Sequence, residues 1–122
     1  MFISINHIPV ASGREADFER MFKERERAVE TQPGFISLDV LKPGKKMHMG
    51  KPSDEVLIEY QVLTRWQDEK AFVSWVQSDA FKKAHSRHFD PEIFAGKSYL
   101  TVHEAVEEAS ACVEAPSTAT LS

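Results

Sequence analysis

Trp75 and His85 bring an indole and an imidazole onto one stretch, Trp66 to His88. A neutral imidazole can ligate a transition metal or move a proton near neutral pH. Spacing decides whether the two can act together. Phe72, Trp75 and Val76 fall at i, i+3 and i+4 behind Asp68, a residue type that caps helices. Ser78 can cap a second short helix, in which Phe81, Ala84 and His85 repeat that spacing. Both side chains can then face inward across one helical break, with His85 at a helix C-terminus. Taken singly, an apolar-face indole is core and a helix-end imidazole is a cap, so a chemical role needs a third residue.

Asn6 is that third residue. Phe2 to Val10 alternates as a strand, with Phe2, Ser4, Asn6 and Ile8 on one face and Ile3, Ile5 and His7 on the other. Apolar residues on both sides predict that both faces are covered. A buried amide must then find partners or cost on the order of 1–3 kcal/mol. It is either a structural amide bonded to nearby backbone or a donor offered to something in a pocket. Arg25 is a second polar group on an apolar stripe; it can snorkel to water or pair with an acidic group at a pocket rim. Met47-His48-Met49 offers three soft donors, but adjacent loop positions rarely converge on one ion, so it reads as loop filler.

These residues need elements to hold them. Ser12-Gly13-Arg14-Glu15 matches a capping box. The helix it opens keeps its apolar spacing through Phe18, Met21, Phe22, Arg25, Ala28 and Val29, and Pro33-Gly34 ends it. Phe35 to Leu41 reads as strand two, and the basic, polar stretch from Pro43 to Asp54 as a loop. Val56 to Trp66 reads as one long strand three, with Glu59 and Gln61 on the face away from its apolar residues. The two short helices follow, then a loop from Phe89 to Gly96 and strand four from Lys97 to Val106. From Glu107 the composition turns to Ala, Ser, Thr, Glu and Pro, which predicts a disordered tail over 107–122 and places Cys112 within it. The order β-α-β-β-α-β over 1–106 is a ferredoxin-like α+β domain. Its uncovered sheet face predicts a homodimer, with sheets packed face to face or closed into an α/β barrel.

Composition narrows the function. The 122 residues carry a net charge of -4, and 42% are apolar, as in one globular domain. That charge argues against nucleic acid as a partner, and no apolar run is long enough to span a membrane. The chain enters a strand directly, without a basic segment ahead of an apolar one, so no secretory signal is expected. One cysteine excludes an intrachain disulfide and fits a reducing, cytoplasmic setting. No Cys-x-x-Cys-His occurs, so any haem is held non-covalently. No Gly-x-Gly-x-x-Gly fingerprint of a flavin or nicotinamide site occurs.

On this element order, Asn6, Trp75 and His85 resemble the IsdG/MhuD-type haem-degrading monooxygenases of the antibiotic biosynthesis monooxygenase superfamily. The likeness extends to Pro33-Gly34-Phe35 and to Trp66, Ala71-Phe72, Trp75, Ser78-Asp79, Phe81-Lys82 and Ala84-His85. It implies that haem is both substrate and cofactor, opened with O₂ and electrons from an external donor or reductase, with release of iron. It also implies that His85 ligates the iron, that Asn6 donates to oxygen on the opposite side, and that Trp75 presses on the porphyrin. Phe22 matches an apolar pocket position, Arg25 approaches a propionate, and His88 is a second-choice ligand. The loop between strands two and three is longer than in staphylococcal relatives. Two alternatives share the fold: a cofactor-independent quinol or anthrone monooxygenase, and a non-catalytic haem-binding protein.

Overall fold

A computed structural model describes residues 1–87 and 89–111. His88 and Cys112, with the rest of the tail from 112 onward, lie outside the described residues. Residues 107–111 carry no helix or strand.

Strands β1 (Phe2–Pro9), β2 (Phe35–Leu41), β5 (Glu59–Trp66) and β6 (Tyr99–Glu104) form one antiparallel sheet in the order β2-β5-β1-β6. Helices α1 (Glu15–Lys23), α2 (Glu69–Val76) and α3 (Asp79–Ala84) connect them, giving the ferredoxin-like order. Inserted between β2 and β5 is a separate hairpin, β3 (Lys45–His48) with β4 (Lys51–Val56).

The register explains where the core sits. Opposite Phe2, Ser4, Asn6 and Ile8 of β1 stand Trp66, Thr64, Val62 and Tyr60 of β5. Both strands therefore present large side chains at the two ends of this face and smaller or polar ones in the middle. Two apolar clusters follow. One gathers Ile8, Val10, Phe18, Tyr60, Val62 and Ile93, with Met21 and Phe22 of α1 packed against it. The other joins Phe2, Trp66 and Trp75, with Phe72 and Phe81 against them.

Five expectations are corrected. The first helix stops at Lys23, not near Val29: Arg25 N–H bonds the Phe22 carbonyl in a turn, and only a short 3-10 segment, Val29–Thr31, follows. Its start also shifts. The residue before the helix is Arg14, and the Glu15 carboxylate accepts from Gly13 N–H at 2.9 Å while Ser12 caps nothing. The stretch 43–54 is not a plain loop. Met49 and Gly50 both take positive φ, 51° and 78°, the backbone that closes a two-residue hairpin. Strand three does not run unbroken from Val56, because Val56 ends β4 and the sheet strand begins at Glu59. A short 3-10 turn, Pro91–Ile93, also punctuates the loop expected over 89–96 and drops Ile93 into the core.

The helix pair matches its sequence signals. Asp68 accepts from Ala71 N–H at 2.9 Å and Ser78 Oγ from Phe81 N–H at 3.1 Å, each capping its helix. The Ser78 hydroxyl donates in turn to the Trp75 carbonyl at 2.7 Å, clamping the joint between α2 and α3. Among the described residues no helix is long and apolar enough to cross a membrane.

Candidate active site

Between the two clusters lies a cavity of about 720 Å³, within the range of small-molecule and cofactor sites. It exists because Ser4, Asn6 and Thr64 occupy the middle of the sheet face, where larger apolar groups would close it. Phe18, Met21 and Phe22 wall one side; Trp66, Trp75 and Phe81 wall the other.

Five of the residues singled out in the sequence, Asn6, Phe22, Arg25, Trp75 and His85, line this one cavity; the sixth, His88, lies outside the described residues. Asn6 is half-buried on its floor, and among the described residues its carboxamide has no side-chain hydrogen-bond partner. Its neighbour Ser4 differs, accepting from Trp66 Nε1–H at 3.3 Å and so satisfying the buried indole. Trp75 is buried and meets Phe81 edge-on, with ring centroids 5.5 Å apart.

His85 follows the last turn of α3 and, where the spacing predicted an inward-facing ring like that of Trp75, it is exposed at the edge of the cavity, because α3 ends there. Its Nδ1 lies 2.9 Å from the Phe81 carbonyl oxygen, one helical turn back. A carbonyl only accepts, so in the neutral ring this bond puts the proton on Nδ1 and leaves Nε2 with a free lone pair. The Phe81 ring backs the imidazole at 4.0 Å. Phe81 therefore fixes the tautomer through its backbone and the ring orientation through its side chain. The sequence does not point to this partner, because a backbone oxygen leaves no mark in residue type.

The polar rim is largely self-paired. Arg25 lies over the Phe22 ring at 4.3 Å, donates to the Phe22 carbonyl at 3.0 Å and meets Glu30 at 3.3 Å. It neither snorkels free nor presents an unengaged guanidinium. Lys83 stands 3.9 Å from Glu26. Arg87, which the sequence did not single out, also lines the cavity. The Met47-His48-Met49 run sits exposed on the hairpin, away from the cavity. Among the described residues no cluster of three or more His, Cys, Asp or Glu could hold a metal.

The opposite sheet face carries a polar network. His7 Nδ1–H donates to Glu59 at 2.8 Å, and His7 Nε2 meets Thr101 Oγ1 at 2.8 Å. Tyr99 stacks on His7 at 4.4 Å and donates to Glu59 at 3.1 Å. The His7 hydrogen bond, ahead of those from Tyr99 and Gln61, holds the Glu59 carboxyl below its ordinary range.

The donor set fits a haem. One imidazole with a free Nε2 is a complete protein ligand set for an iron that brings its own chelating ring. The largely apolar cavity beside it and the unpartnered amide on its floor suit a flat, hydrophobic guest carrying a polar adduct.

Comparison with known proteins agrees with this chemistry. The family model described as antibiotic biosynthesis monooxygenase matches residues 1–87. A mycobilin-producing haem oxygenase of Mycobacterium tuberculosis is 33% identical over 98 residues, covering 80% of this chain and 83% of that one. A haem-degrading monooxygenase of Shouchella clausii is 39% identical over 69 residues, 56% of this chain and 57% of that one. The structure of the M. tuberculosis haem degrader MhuD with two haems in its active site superposes with a TM-score of 0.70 and 29% identity, over 90% of this chain and all of that one. The chain belongs to the antibiotic biosynthesis monooxygenase family.

Proposed function

We propose that this chain is a haem-degrading monooxygenase, with haem as both substrate and cofactor, that opens the porphyrin with O₂ and external electrons and releases iron. The observation that carries this reading is the single cavity shared by Asn6, Trp75 and His85, with the His85 tautomer set by the Phe81 carbonyl. Bound haem supplies the iron and the oxidisable ring.

The protein's own part is binding, orientation and exclusion of water. His85 would offer Nε2 to the metal while Nδ1–H stays on the Phe81 carbonyl, which holds the ring in place. Asn6 holds its carboxamide on the sheet floor, where its N–H would be free to donate to negative charge on a bound guest. Trp75, backed edge-on by Phe81, would be a stiff wall against the ring of the guest. Phe22 and Arg25 form the facing wall, their stacking and the Glu30 pair keeping Arg25 in place.

The second sheet face supports a homodimer. Ile3, Ile5 and Leu63 lie there half-buried, while both core clusters occupy the other face. Sedimentation at micromolar concentration checks this, with a monomer as the contrary result. The reading further implies an external reductase and a cytoplasmic role in iron acquisition.

The test is hemin titration followed by ascorbate under air. Wild-type protein should shift the Soret band on binding, then lose it after reductant while a chelator captures ferrous iron. His85→Ala should fold normally and give no ligated spectrum. No Soret shift with wild type, or an identical spectrum in His85→Ala, overturns the reading.

A further inference from the structure

We propose that Arg87 is the carboxylate-binding residue at the cavity mouth, taking a propionate of the ring substrate. This rests on the haem reading above and adds to it a residue outside the constellation that suggested that reading.

The argument is one of which cations are free. Three permanently charged cations line the cavity, Arg25, Lys83 and Arg87, against one carboxylate, Glu26. Arg25 is engaged twice, by Glu30 at 3.3 Å and by the Phe22 carbonyl at 3.0 Å. To bind a carboxylate it must exchange a partner it already has. Lys83 has Glu26 at 3.9 Å. Among the described residues no carboxylate lies within ion-pair distance of Arg87, so it takes an anion without exchange.

Arg87 is also held in a suitable pose. Its guanidinium carbon sits 4.8 Å from the centroid of the Phe89 ring. Stacking occupies a face of the planar group and leaves its N–H edges pointing outward, the geometry for a bidentate carboxylate. It stands two residues after His85, so one short turn carries both the metal ligand and the carboxylate anchor. A flat dicarboxylate entering the cavity would find both a nitrogen ligand and a guanidinium along its lining.

The neighbouring cleft is a built-in contrast. It is lined by Arg14, Arg20 and Arg87 but also by Asp17, Glu24 and Asp90. There Arg14 pairs with Asp17 at 2.6 Å and Asp90 at 3.0 Å, and Arg20 with Asp17 at 2.7 Å. Three cations there stand against three carboxylates, and Arg87 is the one of the three that pairs with none of them. Arg87 borders both spaces, and only the apolar cavity has a cationic excess.

The experiment titrates hemin and hemin dimethyl ester, which lacks the carboxylates, into wild type, Arg87→Gln and Arg20→Gln. Arg87→Gln should weaken hemin binding about tenfold, the effect of losing one charge-assisted pair. It should leave ester binding within about twofold, a change too small to signal a lost pair. Arg20→Gln removes the same charge from the balanced cleft and should change neither. If Arg87→Gln leaves hemin affinity unchanged, or weakens hemin and ester alike, the proposal is wrong. If Arg20→Gln matches Arg87→Gln, general charge and not a carboxylate site is at work, and the proposal is again wrong. A wild type that binds neither ligand removes the haem reading itself, a distinct result.

Discussion

The two halves of the helix-covered sheet face are built from the same two strands to different ends. Under α1, Phe18, Val10 and Tyr60 are sealed at 0%, 1% and 1% exposure. Phe18 packs on Tyr60 with ring centroids 4.7 Å apart. Under α2 and α3, Trp66 is equally sealed, but Trp75 keeps 9% exposure and Phe72 and Phe81 stay partly open. The first half is sealed and backs one wall of the cavity; the second is an aromatic shell that stays partly open to it. What separates them is the middle of β1 and β5, where Ser4, Asn6 and Thr64 interrupt the large side chains. The division of labour is therefore written into strand positions, with the helices acting as two separate lids.

The most forceful way to break that contrast is to truncate one aromatic in each half. Phe18→Ala should cost roughly 3–5 kcal/mol in urea unfolding, the usual result of a cavity in a sealed core. Phe81→Ala should cost about 2 kcal/mol or less, since its ring already borders space. Yet Phe81→Ala should disturb the hemin spectrum, because the ring backing His85 at 4.0 Å is gone. Equal stability losses in the two variants would mean that both halves are packed alike.

Asn6→Ala sharpens the comparison from the floor. The carboxamide bonds no side chain among the described residues, so its loss orphans nothing, and stability should stay within about 0.5 kcal/mol of wild type. Haem turnover should fall about a hundredfold, the scale of a deleted transition-state donor. Hemin affinity should hardly change. A large drop in melting temperature without a drop in turnover would make Asn6 a structural amide.

Much of this was readable in the chain. Strand alternation put Asn6 beside Ser4 and between Phe2 and Ile8, and that placement creates the cavity floor. Asp68 and Ser78 announced both helix starts because an N-cap is a local side-chain-to-backbone bond. What escaped were features that local pattern does not encode. The apolar spacing through Arg25, Ala28 and Val29 imitates a helix, but the turn at Phe22 and Arg25 diverts the chain. The hairpin turn at Met49-Gly50 lacks the Asn-Gly or Asp-Gly that marks such turns. Arg25 looked available until Glu30 was seen against it. Arg87 had no signal beyond an aromatic two residues later.

The paired caps make a finer test of the same division. Both Asp68→Ala and Ser78→Ala remove one bond at a helix start, and each should cost about 1 kcal/mol. Only α3 ends on His85. Ser78→Ala should therefore also weaken hemin binding severalfold, while Asp68→Ala should not. Matched losses of hemin affinity would show that the site depends on the helix pair as a unit.

The smallest expected effect lies at the rim of the sealed half. Tyr60 donates to Glu19, tying β5 to α1, and that bond, with smaller help from Lys42, holds the Glu19 carboxyl below its ordinary 4.5. Burial and the same pair push the Tyr60 phenol up, so the phenol remains the donor throughout the neutral range. A carboxyl depressed in the folded state stabilises the fold above its unfolded value, and the contribution is lost as pH falls below it. The urea midpoint of wild type should thus exceed that of Glu19→Gln at pH 7, and the gap should narrow as pH drops below 4.5. Glutamine keeps an oxygen that can accept from Tyr60, so the difference reports charge and not loss of the contact. A gap constant down to pH 3 would mean that Glu19 titrates alike in folded and unfolded chains, and that α1 is held to the sheet by its apolar face alone.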